Sequence, residues 1–290
     1  YWTSLFDGHD ASINMIRRLL QQSGAEVIHL GHNRSVKDVV TAAIQENAHA
    51  ILVSSYQGGH LEYFKYLFDL LKEYGAESRI KIFGGGGGVI IPEEIKELHN
   101  YGITRIYSPE DGATMGLQGM INDILGKCNI PNLPDKSELN PNFESPTLSK
   151  QQMYLISKLI TQIESNTESD NLSFLDSLTF NNSKYKIPII GITGTGGAGK
   201  SSFTDELVLR FLEDNDDLRV GILSIDPSKR RTGGALLGDR IRMNAIESDR
   251  VFMRSFATKQ GTTKIMEILP IITKFYKKTG FDLVFIETPG

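Results

Sequence analysis

Gly194-Thr-Gly-Gly-Ala-Gly-Lys200-Ser201 has the spacing G-x-x-x-x-G-K-[ST] of a phosphate-binding loop. It stands between an apolar segment, Ile187-Pro-Ile-Ile-Gly-Ile-Thr193, and a helix-like run from Ser202 to Phe211. In that setting Gly194, Gly196, Gly197, Ala198, Gly199 and Ser202 turn backbone N–H groups around a phosphate, and Lys200 reaches the terminal phosphates. The Ser201 hydroxyl is a ligand for Mg²⁺. The bland alternative is a Gly-rich turn that joins strand to helix. Two acids stand at strand ends: Asp226 after Arg219–Ile225 and Glu287 after Phe281–Ile286. The carboxyl edge of a parallel sheet is where ligands bind, so both are placed to meet Mg²⁺ or its waters. Asp282 begins its strand and belongs to the other edge.

A second group lies near the start of the chain. Asp7-Gly8-His9-Asp10 directly follows a strand-like segment, so His9 occupies a strand-to-helix turn from which it can reach a ligand. Asp7 can accept the other ring N–H of His9, fixing its tautomer and raising its basicity toward a metal. Taken alone, the pair also reads as a capping Asp beside an exposed His. Two further strand ends are unusual: Ser54-Ser-Tyr56-Gln-Gly58-Gly59-His60, and the five glycines Gly84 to Gly88. That many glycines permit close backbone approach by something bulky, the alternative being an empty flexible loop. They do not make a G-x-G-x-x-G fingerprint, because no helix follows at once and no suitable acid comes later. Between the two acid-ending strands, Thr232-Gly-Gly-Ala-Leu-Leu-Gly-Asp239-Arg240-Ile-Arg242-Met243 reads as a nucleotide-responsive switch or as a solvated basic loop after Lys229, Arg230 and Arg231.

Alternating elements are needed to hold these residues. Val27–Leu30, Ala50–Ser54, Ile80–Phe83 and Thr104–Tyr107 read as strands, each followed by a helical run, which is the pattern of a parallel α/β sheet. In the helix from His60 to Tyr74, Leu61, Phe64, Leu67, Phe68 and Leu71 share one face and are assigned to the core. After Cys128 the texture changes to Pro131, Pro134, Pro141 and Pro146 among polar residues. An amphipathic helix through Met153, Ile156, Leu159, Ile160 and Ile163 follows, then polar sequence to Lys184. The expected organisation is therefore a domain at 1–128, a polar, partly helical linker at 129–184, and an α/β domain at 185–290.

Composition bounds the rest. The chain has 290 residues with 31 basic and 35 acidic side chains, a net charge of −4 that excludes binding nucleic acid through bulk charge. The single cysteine, Cys128, cannot form an internal disulfide and points to a reducing compartment, with cytoplasm as the default. No apolar run approaches the roughly 18 residues of a membrane span, and no signal segment opens the chain. Tyr1 and Gly290 both fall within patterned segments, so the sequence reads as a window on a longer protein.

Taken in order, the phosphate loop, Asp226-Pro-Ser, Arg231-Thr-Gly-Gly-Ala-Leu-Leu-Gly-Asp239-Arg240-Ile-Arg-Met and Glu287-Thr-Pro-Gly290 resemble the G-protein chaperones of methylmalonyl-CoA mutase. That resemblance implies GTP as nucleotide, with Lys200, Asp226, Asp239 and Glu287 serving hydrolysis. It implies Mg²⁺ held by Ser201, Asp226, Asp239 and Glu287, with the Ile225 carbonyl and Thr288 as further contacts. It also brings Arg242 toward the phosphates and aims the Gly290 N–H at the γ-phosphate. The residues themselves leave guanine against adenine open, because the guanine-reading N-K-x-D element of such proteins would lie after Gly290. Pro289 departs from the Val usual in the family.

Residues 1–128 resemble a flavodoxin-like cobalamin-binding domain, whose pattern is D-x-H-x-x-G, S-x-L and a paired glycine. Asp7, His9, Ser54 and Gly84 to Gly88 match, while Ser12 and Tyr56 depart. The resemblance implies His9 as the lower ligand of cobalt with Asp7 behind it. Gly8, Asp10, Ser54, Tyr56, Gly58, Gly85, Gly86 and Gly87 would then line the cofactor, with His60 in reach of the corrin periphery. His29, His32, His49 and His99 read as edge and surface residues.

A cobalamin domain followed by such a G protein, a P-loop G domain truncated at its C-terminal side in this window, resembles the fused isobutyryl-CoA mutase family. That implies two parallel-sheet α/β domains in an adenosylcobalamin-dependent radical mutase, whose acyl-CoA barrel lies later in the chain. It implies a 1,2-rearrangement of the isobutyryl-CoA/n-butyryl-CoA type, a GTPase that controls cofactor loading and protection, and a homodimer without nucleic-acid or membrane partners. A cobalamin carrier or chaperone serving a separate mutase subunit fits the same residues. A cobalamin-dependent methyltransferase or light-sensing regulator shares only the D-x-H-x-x-G part.

Overall fold

The computed structural model describes residues 2–5, 10–32, 34–55, 58–130, 133, 134, 143, 145–165, 187–226, 236, 237, 240, 243–257 and 262–288. They form two compact units. The first comprises 1–44, 48–132 and 229–241, and the second 45–47, 133–228 and 242–290.

In the first unit, β1 (Trp2–Leu5), β2 (Val27–His32), β3 (Ala50–Ser55), β4 (Lys81–Gly85), β5 (Arg105–Tyr107) and β8 (Leu236–Leu237) pair in the order β5-β4-β3-β1-β2-β8. Every pairing is parallel. Parallel strands need crossovers, supplied between β1 and β5 by α1 (Asp10–Gln22), α2 (Val36–Gln45), α3 (His60–Glu73) and α4 (Pro92–Tyr101), with α5 (Pro109–Lys127) after β5. Ile13, Leu20, Val27, Leu52, Phe83, Ile121 and Ile124 form one core between helices and sheet. Strand β4 runs two residues further than the apolar pattern suggests, because Gly84 and Gly85 pair with Val53 and Ser54 on one side and with Ile106 and Tyr107 on the other. On α3, Phe64, Leu67 and Leu71 are buried as expected. Leu70 joins them, and Leu61 and Phe68 are only half-buried. Leu236 and Leu237, from the loop read as a switch, extend this sheet beside Val27 and Ile28.

In the second unit, β6 (Ile189–Ile192), β7 (Val220–Asp226), β9 (Val251–Ala257) and β10 (Leu283–Glu287) pair in parallel in the order β6-β10-β7-β9. Helices α7 (Lys200–Asp214) and α8 (Thr262–Lys278) connect them. Val208, Leu212, Val220, Ile222, Met253 and Phe285 make its core. Helix α6 (Lys150–Ser165), expected within a linker, is instead packed as part of this unit, with Met153, Ile156, Leu159, Ile160 and Ile163 all buried. Arg219, 1% exposed, holds the segment before that helix: its guanidinium donates to the carbonyls of Phe143, Ser145, Pro146 and Thr279. Among the described residues no helix is long and apolar enough to cross a membrane.

Candidate functional site

The phosphate loop leaves β6 and enters α7, as its spacing predicts. Three of its glycines carry positive φ: Gly194 at 157°, Gly197 at 81° and Gly199, the residue before α7, at 84°. A side chain there is strained, so the loop's shape depends on glycine. The Lys200 ammonium donates to the carbonyls of Gly194 at 2.5 Å and Thr195 at 3.1 Å, both neutral acceptors within the loop.

Register brings the acids to the same edge. Glu287 closes β10 opposite Ile192 of β6 and Ser224 of β7, and the Thr288 N–H donates to the Ile192 carbonyl at 2.9 Å. Asp226 lies two residues beyond Ser224, opposite Ala257. Glu287 is 2% exposed and accepts from Ser201 Oγ at 3.2 Å through Oε2, while its Oε1 is met by the Thr204 hydroxyl. The structure thus joins Ser201 and Glu287, as the sequence suggests, and adds Thr204, which the spacing does not mark. A hydroxyl and a carboxylate at one helix N-terminus are hard oxygen donors, the kind a divalent cation such as Mg²⁺ takes. Asp205 is a second residue that sequence reasoning missed. Its buried carboxylate accepts from the N–H groups of Asn244 and Ala245, both at 2.7 Å, and from Asn244 Nδ2 at 2.8 Å, tying α7 to the 3₁₀ turn Ala245–Glu247.

The carboxyl edge of the first sheet opens into a cleft of about 280 Å³. Strand ends supply one side: Ser54 aligns with Ser4 of β1 and Gly85 of β4, and Gly85, Gly86 and Gly87 continue the wall. Helix α5 supplies the other through Leu117, Met120 and Ile121, beyond Gly116, whose φ of 63° and ψ of 172° break the helix there. A Cβ on Gly85 would meet nothing nearer than the Tyr107 carbonyl at 3.6 Å, so its face toward the cleft is bare. Gly86 is different, since a Cβ there would lie 2.1 Å from the Ser55 carbonyl oxygen. The Tyr107 ring stacks on Phe83 with centroids 6.4 Å apart. Its hydroxyl donates to Asp123 at 2.7 Å, and burial, with that bond, raises its pKa far above the usual phenol range. The lining is therefore apolar and backbone-rich, which suits a flat ring system with few polar atoms.

His60 does not stand free beside this cleft. It is buried, with Nε2 2.9 Å from Glu94 Oε2, the oxygen that also accepts the Ile91 N–H. These bonds hold the Glu94 carboxyl below its usual pKa, the backbone donor contributing most. Gly58 is exposed and is not among the residues lining the cleft. His99 serves the fold, since its Nε2 accepts the Ile106 N–H at 2.9 Å. Partial desolvation of the ring, reinforced by Arg105, lowers the His99 pKa, although the residue as a whole is exposed. Asp7, Gly8, His9, Tyr56, Asp239, Arg242 and Gly290 lie outside the described residues, as do the side chains of Asp10 and Asp226.

Two family models cover most of the sequence. Residues 2–116 match the B12 binding domain, and residues 156–290 match the methylmalonyl Co-A mutase-associated GTPase MeaB. The chain is thus a B12-binding domain followed by a MeaB-type GTPase domain, each containing one of the two edges described above. Over 99% of its length it is 56% identical to the fused isobutyryl-CoA mutase of Geobacillus kaustophilus and 54% identical to that of Cupriavidus metallidurans. The chain spans 26% of the length of those two relatives. A putative GTPase of Pyrococcus horikoshii, PH0274, is 35% identical over 49% of this chain and 44% of its own length.

Proposed function

We propose that this chain is the cofactor-handling part of an adenosylcobalamin-dependent acyl-CoA mutase, its GTPase domain controlling cofactor loading and protection. The observation that carries the reading is the joining of a B12-binding domain and a MeaB-type GTPase domain in one polypeptide that is similar, over 99% of its own length, to part of a fused isobutyryl-CoA mutase. The substrate class is an acyl-CoA, in the isobutyryl-CoA/n-butyryl-CoA interconversion, taken by a barrel elsewhere in the full polypeptide. The protein acts as a cytoplasmic homodimer.

Adenosylcobalamin supplies the radical chemistry when bound. This chain's part would be to hold it: His9 would ligate cobalt with Asp7 fixing the imidazole, and Ser54, Gly85 and Gly87 would line the apolar cleft. On the GTPase side, the backbone from Gly194 to Ser202 cradles phosphates and Lys200 faces the terminal ones. Ser201, Glu287, Asp226 and Asp239 hold Mg²⁺, with the Ile225 carbonyl and Thr288 beside them. Arg242 approaches the nucleotide phosphates, and the Gly290 N–H addresses the γ-phosphate. The buried pairing of Ser201 with Glu287 supports the metal assignment.

The test is to assay the full-length polypeptide with adenosylcobalamin for conversion of isobutyryl-CoA to n-butyryl-CoA, and Lys200→Ala for GTP binding. Conversion by the parent, with nucleotide binding lost in the variant, is expected. No conversion by a cobalamin-loaded parent would leave a cofactor carrier instead, and GTP binding retained by Lys200→Ala would reject the phosphate loop as the nucleotide site.

A further inference from the structure

We infer that Thr204, three residues beyond the Ser201 of the phosphate loop, is a positioning residue that sets the orientation of the Glu287 carboxylate. The inference rests on the nucleotide-site reading above and adds a residue to it. Positions three apart on a helix face the same way, so the hydroxyls of Ser201 and Thr204 lie one turn apart on α7 and both meet the end of β10. All three side chains are withdrawn from water: Thr204 is 0% exposed, Glu287 2% and Ser201 8%. Each Glu287 oxygen has its own hydroxyl, Oε2 that of Ser201 and Oε1 that of Thr204.

The Thr204 hydroxyl has one proton and two acceptors in reach, since Oγ1 also lies 3.0 Å from the Lys200 carbonyl. A buried carboxylate is the stronger acceptor, because a bond to an ionised group is worth roughly twice a neutral one. The proton therefore goes to Glu287 Oε1. This matters because the last torsion of a glutamate is broad and roughly two-fold, so its packing alone does not hold the plane of the carboxylate. Pinning Oε1 to α7 keeps Oε2 turned to Ser201, where the two oxygens stand together as cation donors. Replacing the hydroxyl by a methyl group of similar size removes the pin and leaves the volume.

The experiment compares Thr204→Val with Thr204→Ser in the full-length polypeptide. The readouts are the Mg²⁺ concentration that half-saturates retention of a fluorescent GDP analogue, and kcat and KM for GTP hydrolysis. For Thr204→Val the expected result is a Mg²⁺ midpoint raised about tenfold, a kcat lowered about tenfold and a nearly unchanged KM, from the typical value of a hydrogen bond to a charged group. Thr204→Ser, which keeps the donor, restores both. A Thr204→Val protein with the parent's Mg²⁺ midpoint and kcat overturns the inference, as does a serine variant that behaves like the valine one. Should Thr204→Val not fold, Thr204→Ala against Thr204→Ser decides by the same two readouts. The outcome is separable from the site reading: GDP retention by Lys200→Ala equal to the parent's overturns the nucleotide site itself, whatever Thr204 does.

Discussion

Two glycine-rich segments stand at the carboxyl edges of two parallel sheets, and glycine is there for opposite reasons. At Gly84 and Gly86 the protein itself fills the space: a Cβ would lie 2.3 Å from Phe64 Cζ in the first case and 2.1 Å from the Ser55 carbonyl oxygen in the second. At Gly196, Gly197 and Gly199 a Cβ would meet nothing within 4 Å. There the requirement is backbone conformation, with positive φ at Gly197 and Gly199, and open room beside the loop. A run of glycines is therefore not in itself a ligand signal. In the first segment Gly84 and Gly86 are required by packing, while a Cβ on Gly85 would meet only the Tyr107 carbonyl at 3.6 Å. In the phosphate loop the open side of the backbone is free for the proposed phosphate contacts.

Alanine substitution at one glycine of each segment separates these reasons, and it carries the largest expected effect. Gly86→Ala pushes a methyl group into a backbone carbonyl that cannot swing aside, so unfolding of the first unit should cost about 3 kcal/mol less. Gly196→Ala, with open space around it, should leave stability within about 0.5 kcal/mol of the parent and weaken nucleotide binding about tenfold or more. Denaturant unfolding and equilibrium nucleotide binding measure the two. A Gly86→Ala protein as stable as the parent would show that the glycine run is there for its ligand after all.

The next effect probes how the phosphate edge is braced. Asp205 accepts three hydrogen bonds from Asn244 and Ala245, much as Asp111 and Asp123 accept from Ser108 and Tyr107 at the apolar cleft. Asp205→Asn replaces one acceptor oxygen by a donor facing N–H groups, which should cost about 2 kcal/mol of stability. The loss should appear in the second unit, with cobalamin binding unchanged. Hydrogen exchange of the amides at 244 and 245 would locate it, and unaltered protection there would rule out the brace.

The sequence made the phosphate loop, the alternating strands and the acid at the end of β10 legible because each is a local pattern: spacing, periodicity or position in a strand. Thr204 and Asp205 were invisible because their partners lie 83 and 39 residues away, and nothing in the helix periodicity marks a buried hydroxyl or carboxylate. The same limit explains α6, whose apolar stripe announced a helix without saying what would cover it. His60 is a third case. Its place at a helix start beside glycines suggested contact with a cofactor, whereas Glu94, on the next helix, takes its ring nitrogen. The two extra residues of β4 were hidden because glycine signals a strand's end, and only the pairing with Ser54 and Tyr107 extends it.

The smallest effect sets the two units apart by pH. His99 Nε2 can accept the Ile106 N–H only when that nitrogen is unprotonated, and partial desolvation of the ring, aided by Arg105, lowers its pKa below the ordinary histidine value. The unfolded chain therefore takes up a proton on His99 more readily than the folded one. The stability this residue contributes is present above about pH 6.5, the unfolded value, and is lost as pH falls through the folded value. Because Ile106 is in β5, acid should loosen the first sheet and spare the second. Trp2, the only tryptophan, lies in β1 of that sheet, so its fluorescence follows this unit during unfolding between about pH 7.5 and 5, a window that spans the ordinary histidine value. His99→Gln, whose side-chain carbonyl accepts without titrating, should flatten the acid slope. Equal slopes in the two proteins would mean that His99 does not titrate against this bond.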